Sequence, residues 1–118
     1  MRSETPDTPP PFRLELEPHR ATIIVTAHGE IDIATAGEVG AKLREVMEAG
    51  FERVVLDLRE VSFIDSSGLR AVIEARAGST EAEVEFALIP GPESVQRLFE
   101  VTGTRAVLNF IGAEAIER

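Results

Sequence analysis

The run Val54-Val55-Leu56-Asp57-Leu58 is the most strand-like segment of the chain, and helical patterns stand on both sides of it. Before it, Val39, Leu43, Val46 and Met47 fall on one helical face, with Gly50 placed to end that helix. After it, Leu69, Val72 and Ile73 begin a second such face. A strand–helix–strand order favours a right-handed parallel crossover. The chain is thereby confined to the α/β class.

The flanking segments extend the pattern. Phe12-Arg13-Leu14-Glu15-Leu16-Glu17 alternates apolar with charged residues, the period of a half-buried edge strand. Pro18-His19-Arg20 is placed as a turn, and Ala21 to Ala27, rich in β-branched residues, as a more buried partner strand. Thr35 with Glu38 three residues on fits a capping box at the start of the first helix. The second helix is expected to end near Gly78, and Glu83 to Ile89 is another strand, stopped by Pro90-Gly91-Pro92. Pro92 suits the first position of a third helix, whose face is Val95, Leu98, Phe99 and Thr102 and which Gly103 closes. Ala106-Val107-Leu108 is predicted as a short last strand, and Gly112 to Arg118 as one or two helical turns. The sum is a mixed β-sheet with an N-terminal antiparallel hairpin, covered by about four helices.

Composition narrows what such a domain does. Residues 1–11 hold four of the seven prolines and little to bury, so a disordered leader is expected there and one domain over 12–118. No apolar run approaches the ~20 residues of a membrane span, and the N-terminus lacks the apolar core of a signal peptide. With no cysteine, disulfides and thiolate chemistry are absent, and the cytoplasm is the simplest location. A net charge of −9 argues against nucleic acid or an anionic membrane as partner. It suits a protein partner that is basic at its contact face, and it is equally explained by solubility. All aromatic residues are Phe, at 5% of the chain, too few for base stacking.

One stretch remains that can carry chemistry, Phe63-Ile64-Asp65-Ser66-Ser67-Gly68-Leu69, where strand gives way to helix. Unpaired N–H groups and the helix dipole make a helix start a good place for an oxyanion. Catalysis there lacks its usual companions. The chain has no Gly-x-x-x-x-Gly-Lys-[Ser/Thr] loop, no Gly-x-Gly-x-x-Gly fingerprint and no Gly-x-Ser-x-Gly elbow. His19 falls in a turn and His28 near a strand end, each explained as a structural residue. Two scattered histidines do not make a metal site, and no cofactor is expected. Hydrolysis at Ser67 would need a base that the sequence does not place beside it.

A serine that accepts a phosphoryl group is the active possibility left. Asp65 or Ser66 is expected as N-cap; if Asp65 caps, Ser66 and Ser67 occupy the first turn. Gly68 would then keep that turn uncrowded for another protein's active site. A phosphate on Ser67 adds about −1.5 to −2 charge. At a helix start it should spare the fold and act outward, by bulk and repulsion at an interface.

The chain resembles STAS domains, specifically the small free-standing anti-sigma factor antagonists of bacteria. The resemblance rests on Gly29-Glu30-Ile31-Asp32 followed by Ala34-Thr35-Ala36, on Val54 to Leu58, and on Phe63 to Leu69. It covers roughly residues 12–117. It implies partner switching. An unphosphorylated antagonist binds an anti-sigma factor, which releases its sigma factor. That anti-sigma factor is also a serine kinase that phosphorylates the second serine of Asp-Ser-Ser-Gly, and a separate serine phosphatase resets the site. By position the acceptor is Ser67, Ser66 is the non-acceptor neighbour, and Asp32 and Asp65 match the acidic positions beside the site. The contact surface implied for the partner comprises Asp32, Asp65, Ser66, Gly68, Leu69 and Arg70. Asp32 is also explained as a turn or cap residue, and Arg70 as a solvated helix position. The resemblance implies a substrate and ligand with no catalysis of its own, and monomer is the default state. The alternative is a non-switching STAS scaffold in a signalling or lipid-transport complex.

Overall fold

The structure, a computed structural model, describes residues 11–116. Apart from Pro11, the expected leader lies outside the described residues, as do residues 117–118. Five strands and three α-helices follow in the order β1 (Arg13–His19), β2 (Thr22–Ile31), α1 (Ala36–Met47), β3 (Arg53–Asp57), β4 (Val61–Ile64), α2 (Ser66–Ala82), β5 (Glu85–Ile89) and α3 (Glu93–Val101). The sheet runs β1-β2-β3-β5, with β4 paired to the end of β2. β1 is antiparallel to β2, as the hairpin pattern required, and the other pairings are parallel.

The period-2 pattern divides the sheet into unlike faces. Ile23, Val25, Ala27 and Ile31 of β2, with Val54, Leu56 and Leu58, form the main core with the inward residues of all three helices. Those include Val39, Leu43 and Val46 of α1, Val72 and Ala75 of α2, and Val95 and Phe99 of α3. Phe99 meets Phe110 edge to face at a centroid distance of 5.2 Å. On the opposite face Val55, Ala87 and Ile89 pack with Ile116 and half-buried Ile24, Ile111 and Ala113. The helices thus gather on one face, and the C-terminal segment covers part of the other.

Several expected elements are corrected. The predicted fourth helix is only a 3-10 turn, Ala113–Ala115, because Ile111 and Ile116 are drawn onto the sheet and the segment cannot wind further. Ala106-Val107-Leu108 is not a strand; a 3-10 turn, Thr104–Val107, occupies it. The strand-like pairing comes slightly later, where Leu88 N–H donates to Asn109 O at 2.9 Å and Ile111 N–H donates to Leu88 O at 2.8 Å. Helix α2 passes Gly78 and ends at Ala82, with Glu83 as a left-handed cap at φ 58°. The first turn is tighter than Pro18-His19-Arg20, since β1 keeps pairing to His19 and Arg20 takes φ 59°. Thr35 is the N-cap of α1 but makes no cap hydrogen bond, so the capping box does not form.

β4 was not foreseen. It begins after a turn closed by buried Asp57, whose Oδ1 accepts from Arg59 N–H at 3.0 Å and whose Oδ2 accepts from Arg59 Nη2 at 2.8 Å. Its pairing with β2 shifts register at Gly29, which holds φ +106° and donates its N–H to Glu60 O at 3.2 Å. This bulge lets β2 exchange β3 for β4 along its length. It brings the chain ends that follow Ile31 and Ile64 to the same edge of the sheet.

Candidate functional site

The site grows from that shared end. Asp65 leaves β4 in extended backbone and donates its N–H to Ile31 O at 3.2 Å, tying the start of α2 to the end of β2. Its Oδ1 then accepts from Ser67 N–H at 2.9 Å and Gly68 N–H at 3.2 Å. Asp65, one of the two candidates, is therefore the N-cap. One consequence differs from expectation: the donors that made this helix start look like an empty anion site are already held by the Asp65 carboxylate.

The facing loop is equally fixed. Asp32 Oδ1 accepts from Ala34 N–H at 3.0 Å, and Asp32 O accepts from Ala36 N–H at 2.8 Å. The Thr35 hydroxyl accepts from Asp32 N–H at 2.9 Å and donates to Glu30 O at 2.8 Å. Asp32 thus stands at the same end of the sheet as Ser67, with one carboxylate oxygen engaged in folding its own turn.

Between the two helices that these loops lead into lies a shallow groove of about 350 Å³, lined by Ala36 and Gly37 of α1 and by Ser66, Ser67, Arg70, Ala71 and Glu74 of α2. Ser66 is exposed and Ser67 half-buried. Neither hydroxyl makes a hydrogen bond among the described residues. Of the groove's lining residues only Arg70 is a cation. It stands one turn beyond Ser67, within reach of a charge placed there.

The implied contact residues divide by what they touch. Ser66, Ser67 and Arg70 line the groove; Asp32 and Asp65 hold its walls in place. Gly68 is buried, and Leu69 is half-buried against the main core. Gly68 does not leave room on the outside, as expected; its missing side chain is filled from within. A Cβ there would lie 2.7 Å from Ile64 Cγ1, 2.8 Å from Ile31 Cγ2 and 2.9 Å from Ile31 O.

Ala36, Gly37, Ala71 and Glu74 were missed. Ser67, Arg70, Ala71 and Glu74 follow i, i+3, i+4, i+7, so the α2 wall was legible from helical spacing. The α1 wall required the tertiary packing.

Both histidines lie elsewhere, lining a separate groove with Glu15, Glu17 and Asp57 on the other face of the sheet. His28 Nε2 is 2.6 Å from Glu15 Oε1 across the hairpin. Neither imidazole therefore lines the serine groove. Among the described residues no helix is long and apolar enough to cross a membrane.

The cap can be tested alone. Asp65→Ala should lower stability by about 1–2 kcal/mol, whereas Asp65→Asn, which keeps an acceptor, should lose at most about 0.5 kcal/mol. Urea denaturation of both variants checks this; equal losses would mean that the cap bonds do not hold the helix start.

Comparison with known proteins gives these features a context. The STAS domain family profile matches residues 13–115. The anti-sigma F factor antagonist of Paenibacillus polymyxa is 30% identical over 93 residues, covering 78% of this chain and 80% of that protein. An anti-sigma factor antagonist from Mycobacterium paratuberculosis shares the fold with a TM-score of 0.81 at 21% identity, over 98% of this chain and all of the other. The unphosphorylated form of the anti-sigma factor antagonist SpoIIAA has a TM-score of 0.70 at 21% identity, over 89% of this chain and 91% of the other. The phosphorylated form of Bacillus SpoIIAA gives 0.65 at 19%, over 89% and 95%. The sheet order, the paired loops at its end and the sequence match agree: this chain belongs to the STAS domain family.

Proposed function

We propose that this chain is an anti-sigma factor antagonist controlled by phosphorylation of Ser67. Unmodified, it binds an anti-sigma factor that is also a serine kinase, and so frees a sigma factor; a phosphate on Ser67 ends that binding and a serine phosphatase restores it. The protein acts as a monomeric regulator in the cytoplasm, with no reaction of its own.

The observation that carries this function is the state of Ser67. Its backbone is pinned by the Asp65 cap while its hydroxyl is unbonded and opens on a groove. A kinase needs a hydroxyl that it can reach without unfolding its substrate, and this geometry supplies one. A switch also needs a modification that the fold survives. A phosphate at Ser67 would project outward past the occupied cap, repelled by Asp65 and Glu74 and attracted by Arg70, with little net effect on the fold. The naming of the Paenibacillus relative as an antagonist, and the existence of SpoIIAA in phosphorylated and unphosphorylated forms, support the same function.

Intact-mass measurement with ATP and candidate kinases of the source organism tests it. One added phosphate is expected, mapped to Ser67 and absent from Ser67→Ala. Binding without any phosphoserine would instead favour a non-switching scaffold.

A further inference from the structure

We infer that Ile33 is the apolar anchor by which the surface around Ser67 grips its protein partner, entering an apolar socket on the anti-sigma factor kinase. This rests on the proposed function and adds a specificity-determining residue to it. Ile33 is 84% exposed, more than the other large exposed apolar side chains Leu16, Phe63, Val101 and Val107. A lone exposed apolar residue is common on any protein and signifies nothing by itself. Ile33 is set apart by where it stands and how it is held.

It lies between Asp32 and Ala34, in the loop that leads into the groove wall at Ala36 and Gly37. Phe63, by contrast, pairs with Glu30 and so takes the sheet face away from Ile31 and the helices. Leu16 is on β1, Val101 ends α3 and Val107 is in the turn that follows it. Ile33 is thus the one whose loop runs directly into a wall of the serine groove, three residues before Ala36.

The loop under Ile33 is densely hydrogen-bonded for its size. Ala34 N–H bonds to Asp32 Oδ1, the Thr35 hydroxyl clamps Asp32 N–H and Glu30 O, and Ile31 O accepts from Asp65 N–H. Through that last bond the position of Ile33 is fixed relative to the start of α2, which bears Ser67. A β-branched side chain on a loop held by such bonds loses little conformational freedom when it is buried by a partner. The fold gains nothing from it, since Ile33 joins neither hydrophobic cluster. Loop closure uses only its backbone neighbours and the side chains of Asp32 and Thr35. An apolar, pre-positioned, unpacked side chain on the loop that leads into the groove wall fits an anchor role at a protein interface.

The division of labour follows. Ile33 supplies affinity that does not depend on charge, and Ser67 supplies the difference between bound and released.

The test titrates the full-length chain against the anti-sigma factor kinase that the unmodified chain binds, chosen from those of the source organism, with Ser67→Asp in parallel. Ile33→Ala should weaken binding roughly ten- to hundredfold. Ile33→Val should stay within about fivefold of wild type, and Ile33→Asp should abolish binding. In phosphorylation assays Ile33→Ala should raise the KM for this chain and leave kcat unchanged, because the anchor is remote from the reacting hydroxyl. Thermal unfolding should not move. Binding by Ile33→Ala within twofold of wild type, while Ser67→Asp still loses it, overturns the anchor and leaves the proposed function standing. If Ser67→Asp binds as tightly as the unmodified chain, or no kinase binds at all, the proposed function falls and the anchor with it.

Discussion

Ser67→Asp is expected to weaken the complex with the anti-sigma factor by more than about a hundredfold, while the isolated domain unfolds within a few degrees of wild type. The two halves of this result have separate causes. Within the domain, the new carboxylate enters the first turn of α2, where the helix dipole favours negative charge by about 0.3–1 kcal/mol. Asp65 already occupies the Ser67 and Gly68 N–H groups, so the added charge cannot displace the cap and points into the groove. Arg70 offsets part of its repulsion with Asp65 and Glu74. At an interface the same charge would be desolvated against a surface built for a neutral hydroxyl, and an unfavourable contact of about 3 kcal/mol exceeds two orders of magnitude in Kd. Isothermal titration and thermal denaturation of the same samples check both halves. Tight binding by Ser67→Asp would remove the switch; a large fall in Tm would mean that the charge acts on the fold. The enzymatically phosphorylated chain should behave as the aspartate variant does, with a larger effect from its greater charge.

Gly68→Ala should be the most damaging single methyl group that can be added at the site. The new Cβ would fall 2.7 Å from Ile64 Cγ1, 2.8 Å from Ile31 Cγ2 and 2.9 Å from Ile31 O. The two side chains belong to the packed core, and the carbonyl is the acceptor for Asp65 N–H, so none can yield cheaply. Alanine gains about 1 kcal/mol of helix propensity over glycine, but overpacking of this kind typically costs more. A net loss of about 2 kcal/mol is expected, roughly 5–10 °C in Tm. Gly37→Ala is the matched control, because a Cβ at that helical position meets nothing within 4 Å. It should leave stability unchanged or slightly raised. Equal stabilities for Gly68→Ala and wild type would show that α2 can move off the end of β2 without loss. That movement would displace Ser67, so phosphorylation of Gly68→Ala should slow as its stability falls.

Much of this was legible from residue order, and the failures have identifiable causes. The central strand, the amphipathic faces of α1 and α3 and the β1–β2 hairpin stood out because each has a strong period and a clear bounding turn. β4 escaped because its four residues, Val61–Ile64, are too few to show a period, and Phe63 and Ile64 merge with the motif that follows. Ala106–Leu108 was apolar enough for a strand. Its backbone instead follows Gly103, in left-handed geometry at φ 75°, into a tight turn, and the sheet receives Phe110 as a bridge to Leu88. The capping box at Thr35 had the right residues, but its hydroxyl oxygen accepts from a different donor, Asp32 N–H, in place of Glu38 N–H.

At the site, local chemistry alone narrowed the cap to Asp65 or Ser66, because capping depends on residues within a few positions of one another; the structure chose Asp65, which sets both serines in the first turn of α2. The same local rules misjudged Gly68. Its reason for being glycine lies in Ile31, thirty-seven positions earlier, which touches it only because β2 pairs with β4. The α1 wall of the groove and the tie between Asp65 and Ile31 are of the same kind. The order of residues by itself determined which segments become strands and helices and which hydroxyls stand at a helix start, since those follow from short-range periodicity and hydrogen bonding. Only the tertiary structure decided that two loops distant in sequence share one end of the sheet, that a groove opens between the helices they lead into, and that Ile33 is left exposed on the loop before one of its walls. Those facts depend on strand register, which the bulge at Gly29 sets and no short window of sequence reports.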